Sequence, residues 1–155
     1  MTTMNAKEDF MKFITASLFI VLFSLFSFTD NLPALLAGND VGLSIQKKPD
    51  FSDLLIYHDI AIYSKFYLLV KFGHALFFFI FTIVMTFMYR MRTAIVCSLI
   101  LAASSEFLQL YTMRSGRIVD MIYDLTGALA GIILVKLLSA YSKHVQIVEG
   151  NRQKM

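Results

Sequence analysis

Four apolar runs, at residues 10–28, 66–89, 93–113 and 121–141, decide what this chain can fold into. Each is close to the about 20 helical residues needed to cross roughly 30 Å of hydrocarbon. A backbone inside hydrocarbon has no water to bond, so each run must satisfy its own amides as a helix. The expected fold is therefore all-α, an integral membrane bundle of four transmembrane helices. Charged residues make up 16% of the chain and apolar ones 57%, whereas soluble domains carry roughly 25% charge. With 155 residues, two domains would each be too small to bury a core, so one domain over 1–155 is expected.

A net charge of +3 invites a nucleic-acid reading, but the cations stand singly beside the apolar runs and form no basic stripe. Nucleic acid is excluded as a partner on that ground; the partner that composition implies is the lipid bilayer. Lys7, Lys12, Arg90, Arg92, Lys143, Arg152 and Lys154 all fall on one side of a four-span topology. The positive-inside rule then puts both termini in the cytoplasm, with Lys47, Lys48, Arg114 and Arg117 opposing the bias from the other side. The first run is expected to be a retained span: its apolar stretch, 13–28, exceeds a signal-peptide core and no small-x-small cleavage site follows. Residues 29–65 form the outer loop, where Ser52 is a candidate cap for a short helix. Phe51, Leu54, Leu55, Ile62 and Phe66 fit helical spacing in part, which allows an interfacial helix. His58 and Asp59 read better as a solvated helix face than as a site. Cys97 is the sole cysteine, so there is no disulfide framework.

An ionisable residue inside a span costs up to about 2.5–3.5 kcal/mol at the bilayer centre on insertion scales, so each needs a partner or a purpose. Lys71 and His74 share a face of the second span by their i, i+3 spacing, and Glu106 and Gln109 do so in the third. Asp120 and Asp124 open the fourth at i, i+4, with Gly127 and Gly131 continuing roughly the same stripe. If these faces converge, Lys71, Arg114 and Arg117 oppose Glu106, Asp120 and Asp124 in the outer half of the bundle, with His74 and Gln109 beside them. One reading is a buried ion-pair network that holds the helices in register. The sharper reading is a ligand or reaction site, because apolar residues often pack as stably and eight polar residues are many for a register lock. In such a site the carboxylates act as general base or cation ligands, His74 as acid or base, and Lys71, Arg114 and Arg117 as phosphate or carboxylate clamps.

No metal is expected, since no ligand pair has a diagnostic spacing and the neighbouring cations would repel one; no other cofactor is implied either. "GALAG", with Gly127 and Gly131 in a small-xxx-small pattern, is expected to pack the fourth span within the monomer. The phenylalanines of "HALFFFIFTIVMTFMY" are expected to face lipid, and Lys136 to snorkel to the headgroups.

Lys71-x-x-His74, then Glu106-x-x-Gln109, then Arg114 with Asp120 six residues on, Asp124 four further, and Gly127 and Gly131 resemble the VanZ-like family. The resemblance covers spans two to four. Asp124 stands where many members carry Asn, and Phe78 where a hydroxyl-bearing aromatic is frequent. The resemblance implies a small multi-span protein of the bacterial cytoplasmic membrane, in a family named for a member that lowers susceptibility to the glycopeptide teicoplanin.

Three functions follow as expectations. The first is a non-enzymatic protein whose outward polar site binds a lipid-linked envelope precursor or a lipoglycopeptide and alters teicoplanin susceptibility or envelope homeostasis. The second is a membrane enzyme acting on a lipid-linked phosphate or glycan, with Glu106, Asp120 or His74 as acid or base and Arg114 holding the phosphate. The third, a proton-coupled transporter, fits poorly with four spans and no internal repeat. Monomer and dimer are equally compatible with the sequence.

Overall fold

A computed structural model describes residues 6–28, 37–38, 45–55, 65–112 and 116–152. Four helices, α1 (Ala6–Phe28), α2 (Lys65–Met88), α3 (Met91–Gln109) and α4 (Ile118–Arg152), are each long and apolar enough to cross a membrane. The expected ends shift where local hydrogen bonding outweighs hydropathy. α1 starts before its apolar run, on Glu8 and Asp9 in its first turn and the Lys12–Glu8 ion pair at 2.5 Å, because carboxylates favour a helix N-terminus. α3 stops at Gln109 rather than 113, where the Thr112 amide (3.0 Å) and hydroxyl (2.9 Å) both bond to the Gln109 carbonyl. α4 starts at Ile118, which places Asp120 in its first turn. It continues far beyond the apolar run that ends at 141: 35 residues span roughly 52 Å of helix, more than the hydrocarbon requires.

α2 and α3 are joined by Tyr89 and an extended Arg90 (φ −106°, ψ 151°), whose carbonyl accepts the Ala94 amide at 3.0 Å. So short a connection makes the two helices antiparallel neighbours. A buried hydroxyl pair, Thr82 and Ser98, ties them at 2.8 Å. Interhelical bonds of this kind contribute about 0.6 kcal/mol on average and up to about 1.7. Thr82→Val should therefore destabilise the detergent-purified protein by an amount within that range, read as a lower thermal midpoint, and the Thr82→Val/Ser98→Ala double variant should cost less than the sum of the two single ones.

The most extensive helix pair is α2 with α4. A Cβ on Gly127 would overlap the backbone carbonyl of Ala75, and one on Gly131 would lie 2.8 Å from the Phe79 carbonyl oxygen. Position 75 faces 127 and position 79 faces 131, so residue numbers rise together and α2 and α4 run parallel. In lipid no hydrophobic effect drives helices together, so dispersion at close approach carries much of the association.

The phenylalanines of α2 correct the expectation that they face lipid. Phe78 and Phe81 are buried. Phe77, Phe78 and Phe81 meet Phe19 and Phe23 of α1 in edge-to-face and stacked arrangements with centroids 4.6–5.8 Å apart. α1 buries just Phe23 and Ser27, and aromatic pairs contribute beyond their area, so this ring cluster is what docks the first helix. Phe72 and Phe87 do remain on the exposed surface.

Within the expected outer loop, Phe51–Leu55 form one 3-10 turn. Asp50, not Ser52, caps it: the Asp50 carboxylate accepts the Ser52 amide at 2.9 Å and hydroxyl at 2.7 Å. Those two bonds hold the Asp50 carboxyl below its ordinary range. Phe51 rests 6.1 Å from Phe107, and the Gln46 amide bonds to the Tyr111 carbonyl at 2.8 Å, fastening this stretch to the end of α3. His58 and Asp59 lie outside the described residues.

Candidate functional site

The polar residues gather where α3 ends and α4 begins. The parallel register that seats Gly127 on Ala75 also sets 71 opposite 120 and 74 opposite 124. Lys71 Nζ meets Asp120 Oδ2 at 2.6 Å, with side chains 13% and 8% exposed. His74 Nδ1 meets Asp124 Oδ1 at 3.2 Å. Lys71 also lies over the Tyr67 ring at 5.2 Å, and the His74 ring meets Phe23 edge-on at 5.6 Å.

Glu106 enters from α3 and is buried. Its Oε2 accepts the Arg117 backbone amide at 2.7 Å, so part of the contact expected of a guanidinium is made by an N–H of the turn before α4. Gly116 is why that turn lies so close: a Cβ there would overlap the Glu106 carbonyl and stand 3.3 Å from Gln109 Cβ. Sequence reasoning passed over Gly116, although a glycine between Arg114 and Arg117 at a helix junction is a signal for close backbone approach. Gln109 is buried beside it, and Arg114 lies outside the described residues. Thus Lys71, His74, Glu106, Gln109, Asp120 and Asp124 are brought to one end of the bundle, with Arg117 at its edge.

Three carboxylates are present, and each is half satisfied. Glu106 Oε1, Asp120 Oδ1 and Asp124 Oδ2 are buried and have no hydrogen-bond partner among the described residues. A buried acceptor without a donor costs about 1–3 kcal/mol, more when charged. The arrangement is thus rich in acceptors and calls for N–H or O–H donors, because Lys71 is already committed to Asp120. Among the described residues no group of three or more His, Cys, Asp or Glu is disposed to hold a metal ion.

His74 and Asp124 form a carboxylate–imidazole pair. With Nδ1 donating to Asp124, a neutral ring keeps Nε2 as an acceptor, which is the arrangement by which a carboxylate orients an imidazole base. Phe78, one turn along α2 from His74, belongs to the buried cluster with Phe23, Ala102 and Ala128, so a ring without a hydroxyl suits its surroundings.

Comparison with known proteins places the chain. No curated protein and no solved structure matches it. The family model described as VanZ/LLP1 matches residues 10–139, which reaches into all four spans and takes in every residue of the polar cluster. This chain is a multi-pass membrane protein that belongs to the VanZ/LLP1 family.

Proposed function

We propose that the cluster binds the polar part of a cell-envelope amphiphile, a lipid-linked precursor or a lipoglycopeptide, at the outer leaflet, and so alters susceptibility to teicoplanin-type antibiotics. The observation that carries this reading is the trio of buried, half-satisfied carboxylates, Glu106, Asp120 and Asp124. A network serving as a register lock alone gains nothing from acceptors left open, since a partly satisfied buried network is worse than an apolar one. Donor-bearing heads, hydroxyl, amide or ammonium, complete it.

The test is teicoplanin susceptibility of a sensitive Gram-positive host producing wild type, Glu106→Gln or Asp120→Asn at matched membrane abundance, beside an empty control. Wild type should protect. Each amide should weaken protection by about tenfold, the equivalent of 1.4 kcal/mol at the site. Equal sensitivity of all strains would end the resistance reading.

A second reading, a membrane enzyme acting on a lipid-linked phosphate or glycan, draws support from the His74–Asp124 pair, in which an oriented imidazole serves as general base. His74→Gln discriminates the two. A binding site loses affinity by a graded amount, whereas an enzyme that loses its general base loses most of its turnover.

A further inference from the structure

A half-open groove of about 450 Å³ lies between α1 and α2, within the roughly 300–1,000 Å³ typical of small-ligand sites. Phe23 and Ser27 of α1 and Gly73, His74, Phe77 and Ile80 of α2 are among its walls. All belong to helices that span the membrane. Gly73 is part of the reason for the space, since a Cβ there would meet nothing within 4 Å. His74 is the one titratable residue of the lining. Its far side holds Asp124, so a groove whose other polar side chain is Ser27 touches the polar cluster through this imidazole.

We infer that the groove is the tail subsite of the polar site: it takes one hydrocarbon chain of a membrane amphiphile, with a hydroxyl-bearing head meeting His74. This rests on the reading of the cluster given under Proposed function and adds the ligand's class to it. The dimensions favour a chain over a protein segment. A helix about 10 Å across fills a volume like this one with roughly a single 5.4 Å turn, so a second copy has no seat for a helix here. Water gains little here, since Ser27 and His74 are the two polar side chains of the lining, the minimum of the 2–4 partners that a bound water needs. A neutral His74 bonded through Nδ1 presents Nε2 as an acceptor, which matches an O–H donor.

The experiment uses the full chain in phosphatidylcholine nanodiscs, with a long-chain primary alcohol carrying a mid-chain diazirine as the probe and the corresponding alkane as a headless control. After photolysis, labelled peptides are located by mass spectrometry, with and without excess unlabelled alcohol. Label should concentrate on the α1 and α2 segments around Ser27 and Gly73 and be competed away. Gly73→Leu, which fills the groove from an open position, should reduce it by about tenfold, and Ile80→Trp should do the same from another part of the wall. The alkane should label these segments more weakly than the alcohol. Label spread without competition over exposed faces such as Leu129 and Leu137 of α4 identifies ordinary bilayer lipid and overturns the proposal. So does labelling unchanged by both groove-filling variants. The two readings fail separately. Competed label in the groove, with Glu106→Gln and Asp120→Asn protecting as well as wild type, supports the groove and removes the polar-site function. Carboxylate-dependent protection without competed label does the converse.

Discussion

Gly127→Leu is expected to prevent stable packing of α2 against α4. Even the first carbon of a side chain at 127 overlaps backbone atoms of Ala75, and backbone cannot rotate aside as a flexible side chain can. Overpacking costs about 1–3 kcal/mol when neighbours yield; Gly127→Ala should reach the top of that range, and leucine should exceed it. Gly131→Ala should be milder, since its nearest atom, the Phe79 carbonyl oxygen, stands at 2.8 Å and the next, Ile83 and Thr82 side-chain carbons, at 3.4 and 3.5 Å. Gly73→Ala is the internal standard. Its Cβ enters open space, so the change should be neutral or stabilise by about 0.4–1 kcal/mol through the lower entropy of the unfolded chain. Thermal unfolding followed by size-exclusion chromatography in detergent ranks the four variants. A Gly127→Leu protein as stable as Gly73→Ala would show that α2 and α4 do not meet in this register.

Lys71→Met should be nearly as damaging, and a second change should rescue it. The substitution leaves the Asp120 carboxylate, 8% exposed, with both oxygens in want of a donor. Breaking a buried pair from one side costs about 3–5 kcal/mol. Lys71→Met/Asp120→Leu removes both charges, and apolar replacement of a buried pair is often neutral or stabilising by about 1–4 kcal/mol. The double variant should therefore melt near wild type or above it, and the double-mutant cycle should return a coupling of several kcal/mol. Protection against teicoplanin should stay lost in the rescued protein, because Asp120 contributes one of the open acceptors. Rescue of stability and protection together would reduce this pair to a register lock.

Spacing along single helices was informative because it is a local property. Lys71 with His74, and Asp120 with Asp124, each share a face in any helix, so the polar stripe is visible in the residues themselves. Which cation meets which carboxylate is different. It depends on the offset between α2 and α4, and that offset follows from where two backbones can touch, at Gly127 on Ala75. Gly116 escaped notice for the same reason: its need for a bare backbone arises from Glu106, ten positions earlier in the chain. Thr82 and Ser98 carry no charge and read as ordinary span residues until two helices set their hydroxyls 2.8 Å apart.

The phenylalanines of α2 show the limit most directly. In a soluble protein an apolar residue that is not inside is a cost, so hydropathy reports burial. In a bilayer both faces of a helix are apolar, and hydropathy cannot distinguish Phe78, fully buried, from Phe72, 64% exposed. By itself the sequence determined four crossings, an all-α class and the presence of charges that require partners, because length, apolarity and backbone hydrogen bonding act within one helix at a time. The tertiary structure alone decided the parallel register of α2 and α4, the ring cluster that docks α1, and the groove that reaches His74, because each depends on shape fitted between helices, where lipid and protein are equally apolar and close packing makes the choice.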